Sequence, residues 1–291
     1  MAVDRVAVLG GGLMGSGIAE SVARAGLPVV VRDVDETAVE AARARIEKSL
    51  GRARDAGKVE AGEYDEVLAR IAYTDRLEDI AEADLVIEAV PENVELKTAI
   101  LARVAGIVSE DALIASNTSS IPIAQLAAGL PGPDRVLGLH FFSPVPVMRL
   151  VEVVVALDTS EATRAAAQEF AERIGKRAIV TKDRSGFIVN MLLVPYLMAA
   201  MRMFEEGFAS AEDIDEGMKL GCGHPMGPLT LCDMIGLDVL YSVCDSLYDE
   251  FKQPEYAPPP LLKRMVASGR HGVKANRGFY EYAHDRKQVT A

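Results

Sequence analysis

A glycine-rich turn between two apolar segments near the N-terminus constrains this chain more than any other feature. The apolar segment 6–9 precedes a cluster of glycines that begins at Gly10, and a helical pattern follows. The next apolar segment, 29–31, ends beside Asp33. This order predicts a strand, a turn, a helix, a second strand and an acid, which is the first βαβ unit of a dinucleotide-binding sheet. A structural turn that binds no ligand is the alternative.

The glycines of this turn have distinct predicted roles. Gly10 lets the chain turn tightly out of the strand, Gly12 leaves the backbone open to a pyrophosphate, and Gly15 lets the helix pack closely on the strand. The phosphates would face the N–H groups and the positive dipole end of the helix. Asp33 has about the spacing of a carboxylate that binds the ribose hydroxyls. The predicted cofactor contacts of this segment are Gly10, Gly12, Leu13, Met14, Gly15 and Asp33.

Composition and charge exclude several classes of protein. With 49% hydrophobic and 25% charged residues in 291, the chain has the composition of a folded globular protein. A formal net charge of −12 argues against a surface that binds nucleic acid or anionic membranes. No apolar stretch reaches the roughly 18 to 20 residues of a membrane span, and the first strand begins too early to leave room for a signal peptide. We therefore expect a cytoplasmic protein.

The cysteines indicate neither a disulfide framework nor a metal site. Cys222, Cys232 and Cys244 form an odd set without a C-x-x-C pair. No cluster of acids and histidines has the spacing of metal ligands. We expect no metal in the site and a reducing environment around the protein.

A basic cluster stands out in this acidic chain, in the later part of a predicted helix over 35–56 and in the turn after it. A solvated helix face with interspersed acids is one interpretation, and an anion-binding surface is the other. The residues alone leave both open. The cluster consists of Arg43, Arg45, Lys48, Arg52, Arg54 and Lys58.

Strand and helix patterns alternate strictly through the first half of the chain. Segments 71–74 and 112–115 predict strands, and segment 84–90 is an almost continuous apolar run, typical of a parallel strand buried on both faces. A helical pattern covers 92–108, between the predicted strands at 84–90 and 112–115. The alternation predicts a doubly wound, mostly parallel, Rossmann-type sheet.

A polar cluster, Ser-Asn-Thr-Ser-Ser at 116–120, comes directly after a predicted strand. Open α/β sheets bind their ligands at the carboxyl ends of strands, so these side chains are candidates for ligand contacts. They could equally cap the helix that begins near Pro122, because Ser and Thr favour that position. Both roles can hold together.

Two later strand patterns bring a histidine and a glutamate together. Segments 136–142 and 150–157 predict strands, and a hairpin centred near Pro146 would place His140 opposite Glu152. A lone carboxylate in a buried strand is costly unless a partner satisfies it. A histidine oriented by a carboxylate at the ligand edge is the arrangement of a general base. A core histidine without catalytic role is the alternative.

The character of the sequence changes near residue 185, where strand patterns stop. We therefore predict a sheet domain over 1–185 and an all-α domain over 186–291. The predicted helices of the second domain cover 187–206, 211–220, 229–251 and 260–267.

A series of short motifs occurs in a fixed order along the chain. They are GGGLMG at 10–15, EAVPE at 88–92, SNTSS at 116–120, GLHFF at 138–142, PVPVM at 144–148, LVEV at 150–153, GFIVN at 186–190, PMGP at 225–228 and GFY at 278–280. Any one of them could be chance, but their combined order and spacing could hardly be. With these motifs the chain resembles the 3-hydroxyacyl-CoA dehydrogenases essentially from end to end.

The resemblance implies NAD-linked interconversion of an L-3-hydroxyacyl-CoA and a 3-ketoacyl-CoA, with a short-chain substrate such as 3-hydroxybutyryl-CoA expected. It also implies that the sheet domain, 1–185, binds NAD and that the helical C-terminal domain, 186–291, contributes to substrate binding and forms a homodimer. Carried over residue by residue, it makes His140 the catalytic base and Glu152 its partner, with Ser119 and Asn190 at the reacting end of the substrate. Further implied contacts are Glu92, Lys97, Asn117 and Lys274 with the cofactor, and Lys48 and Arg52 with the CoA portion.

The chain departs from the family pattern at several positions. Ser143 stands where the family has Asn, Ser185 where it has Pro, and Met191 where it has Arg. The Lys-Thr-Gly run of the family appears as Lys274-Ala275-Asn276, which bears on the role of Lys274. These changes leave the implied catalytic groups in place, and we expect any effect to fall on substrate preference or rate.

Arg32 beside Asp33 bears on the choice of cofactor. Asp33 favours the ribose hydroxyls of NAD and repels a 2′-phosphate, whereas an arginine here can accept one. We expect NAD, with NADP as the alternative.

Two other functions remain compatible with the sequence. One is a sugar-acid dehydrogenase of the same superfamily, like the gulonate dehydrogenases. The other is a dinucleotide-binding protein that has lost catalytic activity. The basic cluster favours the acyl-CoA substrate over the first, and the joint presence of His140, Glu152, Ser119 and Asn190 argues against the second.

Overall fold

The computed structural model describes residues 2–282 and 289–290. The chain groups into two compact units, Met1–Arg184, here called unit 1, and Ser185–Ala291, here called unit 2. The assignment of 1–185 to NAD binding and of 186–291 to substrate binding and dimerisation stays a prediction.

Unit 1 is built on an eight-stranded sheet in the order β3-β2-β1-β4-β5-β6-β7-β8. Neighbouring strands are parallel except β6 and β7, which are antiparallel. The predicted doubly wound, mostly parallel sheet is therefore confirmed. The strands are β1 Val6–Leu9, β2 Val29–Arg32, β3 Ile71–Thr74, β4 Leu85–Glu88, β5 Leu113–Ser116, β6 Val136–Phe141, β7 Leu150–Val155 and β8 Arg177–Lys182.

The helices of unit 1 pack apolar stripes onto this sheet. In the second helix the stripe has helical spacing and is buried, and the helix begins where Asp35 accepts a hydrogen bond from Ala38 N. The short third helix was not predicted. The helices are α1 Leu13–Arg24, α2 Glu36–Asp55, α3 Ala61–Ala69, α4 Val94–Ala105, α5 Ile123–Ala127 and α6 Glu161–Arg173.

The register of the parallel strands brings their carboxyl ends to one edge of the sheet. Leu9 of β1 pairs with Glu88 of β4, and Glu88 pairs with Ser116 of β5. Ser116 in turn pairs with Gly138 of β6, so His140 follows two residues further along that strand. The dinucleotide turn, the polar cluster and the histidine therefore approach the same edge.

Unit 2 is helical. The single helix predicted over 229–251 is wrong as one element, because the chain breaks at Gly236, whose φ of 100° no ordinary side chain adopts readily. Asp233 joins the C-terminal segment to the helices by accepting from Phe279 N and Tyr280 N. The elements are α7 Val189–Glu205, α8 Ala211–Cys222, α9 Pro228–Ile235, α10 Leu237–Phe251, α11 Pro260–Ala267, β9 Glu281–Tyr282 and β10 Val289–Thr290.

Within the described part of the chain, no helix combines the length and the apolar character that crossing a bilayer requires.

Candidate active site

The turn after β1 has the geometry of an anion cradle. Gly10 has φ of 92°, and a Cβ on it would lie 2.8 Å from the carbonyl oxygen of Ala89. A Cβ on Gly15 would lie 1.8 Å from the carbonyl oxygen of Gly10, so α1 packs directly on the turn. Gly12 caps α1 without a side-chain hydrogen bond, and a Cβ on it would meet no atom within 4 Å. Space is therefore open at Gly12, directly before the N-terminus of α1, which fits the pyrophosphate of a dinucleotide.

Asp33 lies at the end of β2 beside this turn. Its Oδ2 accepts from Gly11 N at 2.7 Å, and its Oδ1 accepts from Val34 N at 2.7 Å. The carboxylate is therefore fixed next to the turn and keeps lone pairs for the hydroxyls of a ribose. The neighbouring Arg32 donates from Nε to the carbonyl oxygen of Asp75, so its guanidinium is held at the loop after β3.

A network of buried charged and polar side chains lies at the carboxyl ends of β4 and β5. Lys97 Nζ is 2.7 Å from Glu88 Oε1 and 3.2 Å from Glu92 Oε2, and it also donates to the carbonyl oxygen of Val90. Glu88 accepts a second hydrogen bond from Ser116 Oγ at 2.6 Å. Lys97 is 1% exposed and Glu88 is fully buried. The ammonium is surrounded by protein oxygens, so it acts on the site chiefly by holding the two carboxylates.

Glu92 connects this network to the polar cluster at 116–120 by hydrogen bonds. Its Oε1 accepts from Thr118 Oγ1 at 2.5 Å, from Ser119 N at 3.1 Å and from Ser120 N at 3.3 Å. Burial alone would raise the pKa of Glu92, but the Lys97 charge and these hydrogen bonds outweigh it and hold the pKa below its usual value. Glu92 is therefore an anion that fixes the backbone of the loop carrying Ser119.

Asn117 connects the polar cluster to the strand that carries the histidine. Its Oδ1 accepts from Phe141 N at 2.9 Å. Its own backbone N–H donates to the carbonyl oxygen of Glu88 at 2.8 Å. Asn117 thus fixes the end of β6 one residue after His140, and it lies at the same sheet edge as the dinucleotide turn.

His140 and Glu152 face each other across β6 and β7, as the hairpin predicts. The two residues are paired in the register, and Nδ1 of His140 lies 2.7 Å from Oε2 of Glu152. Their side chains are only 8% and 1% exposed. With Nδ1–H donating to the carboxylate, Nε2 keeps its lone pair and can accept a proton. The predicted pairing is confirmed, whereas its catalytic role stays a prediction.

A basic cavity of about 740 Å³ lies between α1, the end of α2 and the loop joining β6 to β7. Arg52 lines this cavity, and Lys48, which is exposed on the same helix, is not among the lining residues described. Of the two predicted CoA contacts, Arg52 therefore lies in the cavity wall and Lys48 does not. The basic residues of the wall are Arg24, Arg52, Lys58, Arg149, Arg173 and Lys176.

The remaining predicted site residues lie in unit 2. Asn190 is in the first turn of α7, where its backbone N–H donates to the carbonyl oxygen of Gly186. Lys274 forms an ion pair of 2.6 Å with Asp238 Oδ2. The roles of Asn190 toward the substrate and of Lys274 toward the cofactor stay predictions.

Two groups near the site were missed by sequence reasoning. Glu88 interrupts an apolar strand as Glu152 does, so the same signal, a lone carboxylate in a buried strand, could have singled it out. Lys176 follows an ordinary amphipathic helix, and no local pattern distinguishes it from a surface lysine.

Comparison with known proteins identifies the family. Residues 5–184 match the NAD binding domain of 3-hydroxyacyl-CoA dehydrogenase, and residues 186–282 match the C-terminal domain of the same enzyme. The chain belongs to the 3-hydroxyacyl-CoA dehydrogenase family. It is therefore an oxidoreductase with NAD as its cofactor, as the sequence predicts.

Relatives of this dehydrogenase cover nearly its whole length. It is 52% identical to a 3-hydroxybutyryl-CoA dehydrogenase of Mycobacterium tuberculosis over 97% of this chain and 99% of that protein. The crystal structure of M. tuberculosis FadB2 superposes with a TM-score of 0.96 at 52% identity, covering 97% of this chain and 100% of the other. That of (S)-3-hydroxybutyryl-CoA dehydrogenase PaaH1 from Ralstonia eutropha has a TM-score of 0.91 at 46% identity, with coverage of 97% and 100%.

Proposed function

We propose that this dehydrogenase interconverts L-3-hydroxybutyryl-CoA and acetoacetyl-CoA with NAD. The observation on which the proposal rests is the buried His140–Glu152 pair at the edge of the sheet where the dinucleotide turn lies. The short acyl chain is supported by the names of the M. tuberculosis and R. eutropha relatives.

In the oxidation, His140 takes the hydroxyl proton of the substrate through Nε2. Glu152 keeps the proton on Nδ1, fixes the ring and stabilises the imidazolium that forms. Bound NAD would supply the acceptor for the hydride that leaves the carbon carrying this hydroxyl. In the reduction, protonated His140 returns its proton to the alkoxide. Because the pair is almost fully buried, its charges are screened little by water, which strengthens this stabilisation.

Ser119 and Asn190 are proposed to hold the oxygens of the substrate. A hydroxyl and an amide can donate hydrogen bonds to a developing alkoxide without competing for the transferred proton. The backbone of Ser119 is fixed by Glu92 at 3.1 Å, which gives its hydroxyl a defined starting position. The same loop-fixing network gives Glu92, Lys97 and Asn117 their proposed part in the cofactor site.

The basic cavity is proposed to receive the phosphates of the CoA portion. The wall contains several cations, although the chain as a whole has a formal charge of −12. This local positive charge can attract an anion that the molecule as a whole would repel. Arg52 lies in this wall, and we propose it as a CoA contact. Lys48 stays a weaker candidate.

Alanine substitutions of Arg52 and Lys48 should have different effects on the KM for the thioester. We expect Arg52→Ala to raise the KM for acetoacetyl-CoA by about 5- to 30-fold with little change in kcat, because a charge-assisted phosphate contact contributes about 1 to 2 kcal/mol. Lys48→Ala removes the same charge from the same helix and should change KM less than about twofold. Initial rates over a range of acetoacetyl-CoA concentrations measure both. Equal effects of the two substitutions would contradict a specific role for Arg52.

A single assay separates the proposed function from its alternatives. The enzyme is supplied with acetoacetyl-CoA and NADH, and separately with NAD and a sugar acid such as gulonate, while absorbance of the reduced cofactor is followed. We expect turnover with the thioester alone, and a higher kcat/KM with NADH than with NADPH because the carboxylate of Asp33, beside the glycine turn, would bind ribose hydroxyls and repel a 2′-phosphate. Turnover of the sugar acid, or none at all, would contradict the proposal.

The homodimer and the cytoplasmic location belong to the same proposal. Unit 2 exposes large apolar side chains, with Leu192, Phe208 and Leu220 between 72% and 82% exposed, and a second copy could cover such surfaces. Light scattering of the purified protein would decide, because a mass near the 31.2 kDa of one chain contradicts a dimer. The free thiols of Cys222, Cys232 and Cys244 agree with a reducing cytoplasm.

A further inference from the structure

Lys176 is a buried cation that the proposed chemistry does not use. It follows α6 directly and is 8% exposed. Its Nζ donates to the carbonyl oxygen of Val145 at 2.5 Å and to that of Met148 at 2.8 Å. An ammonium in such a position is costly to bury unless oxygens replace its water, and here two backbone carbonyls do so.

Both carbonyls belong to the loop between β6 and β7. Val145 lies five residues after His140, and Met148 lies four residues before Glu152. Lys176 therefore holds the connection between the two strands whose pairing brings the histidine to its carboxylate. Its neighbour Arg177 opens β8 and donates from its backbone N–H to the carbonyl oxygen of Arg149, next to the same loop.

Helix α1 also contacts the loop. A Cβ on Gly17 would lie 2.9 Å from Cβ of Val145, so helix and loop are in close contact. Glu20, one turn later in α1, is 1% exposed and lies 3.6 Å from Arg24. Burial lowers the pKa of Lys176 and Arg24 lowers it further, while the charge of Glu20 opposes both.

We propose that Lys176 is a positioning residue for the hairpin that carries His140 and Glu152. Its ammonium ties the β6–β7 loop to the start of β8, and the loop sets where the histidine presents Nε2 to the substrate. This inference rests on the proposed dehydrogenase activity. Lys176 also lies in the wall of the basic cavity. The inference nevertheless predicts that its substitution changes kcat rather than KM.

Lys176→Met tests the inference because methionine keeps much of the side-chain length and removes the ammonium. We expect kcat with acetoacetyl-CoA to fall about 10- to 100-fold, as for a misplacement of reacting groups by about 1 Å, with KM changed less than about threefold. Lys176→Arg, which can still donate to both carbonyls, should recover most of the loss. NADH affinity, measured by fluorescence, should be unchanged in both variants and reports that the fold is intact.

Lys58→Met is the matched comparison. It removes a cation from the same cavity at a residue that is exposed, and it should raise KM without lowering kcat. If Lys176→Met also raises only KM, or keeps kcat within about twofold of the parent, Lys176 is a cavity residue and the inference is wrong.

Two further measurements keep the test decisive. If Lys176→Met fails to bind NADH and so does not fold, Gly17→Ala displaces the same loop from α1 and should lower kcat with NADH affinity retained. The imidazole NMR signals, from four histidines in the chain, should change for His140 in Lys176→Met and not in Lys58→Met. Unchanged His140 signals refute the positioning role even if the parent enzyme does not turn over acetoacetyl-CoA, a result that would refute the proposed function separately.

Discussion

Replacing His140 by glutamine is expected to lower kcat for acetoacetyl-CoA reduction by about 10³-fold while leaving the dissociation constant for NADH unchanged. Glutamine fills a similar volume and can still donate to Glu152, so the hairpin keeps its register, but an amide cannot take up or release a proton at neutral pH. General acid–base groups contribute about 10²- to 10⁴-fold, which sets the size of the loss. Steady-state rates and NADH fluorescence titration measure the two quantities.

The matched control is the same substitution at His271. This residue lies in unit 2, where its Nε2 is 3.2 Å from the carbonyl oxygen of Val266. His271→Gln should keep the parent kcat, because it alters only a hydrogen bond to a carbonyl oxygen in the last turn of α11. A His140→Gln enzyme with a kcat within about tenfold of the parent would show that another group transfers the proton.

The pairing of His140 with Glu152 was accessible from sequence because it depends on local rules. A strand has a period of two, and a short connection fixes which residues of a hairpin are opposite, so the histidine and the acid could be aligned once the turn near Pro146 was recognised. The glycine turn was equally accessible, because Gly10 and Gly15 occupy positions where any Cβ meets backbone atoms. The contacts of the pair lie within one hairpin, and Gly15 meets Gly10 five residues earlier, whereas Gly10 meets Ala89 and was recognised by its place in the glycine motif.

The rest of the site depends on contacts between distant parts of the chain. Lys176 reaches carbonyl oxygens up to 31 residues away, and Ser116 reaches Glu88 across 28 residues. No local periodicity encodes such contacts. The helix break at Gly236 was missed for a different reason: a glycine within a helical pattern is often tolerated, and only the observed φ of 100° shows that the helix ends there.

Lys97 shows how a correct motif can leave the chemistry open. The family pattern implies a contact with the cofactor, yet the ammonium is 1% exposed and is surrounded by oxygens of Glu88, Glu92 and Val90. Its geometry favours an indirect part, in which the lysine fixes Glu92 and Glu92 fixes the loop at Ser119. Sequence alone could not distinguish these roles, because both require a lysine at the same position.

Lys97→Met should be the most destabilising of the substitutions considered. It leaves the carboxylate of Glu88, which is fully buried, without its counter-charge, and removing one partner of a buried ion pair costs about 3 to 5 kcal/mol. We expect the urea midpoint of unfolding to fall accordingly with an unchanged m-value. NADH affinity should fall as well, because Glu92 loses the charge that holds it against the loop of Thr118 and Ser119.

A control variant and a double variant distinguish the effect of an unpaired buried charge on stability from the effect of removing any lysine. Lys219→Met removes a lysine from an exposed ion pair with Glu216 and should leave the unfolding midpoint unchanged. Adding Glu88→Gln to Lys97→Met removes the unpaired carboxylate and should restore part of the lost stability, since a neutral amide is far less costly to bury than an anion. If the double variant is as unstable as the sum of its single substitutions, the two side chains do not act as a pair. The network would then stabilise the site by packing rather than by charge.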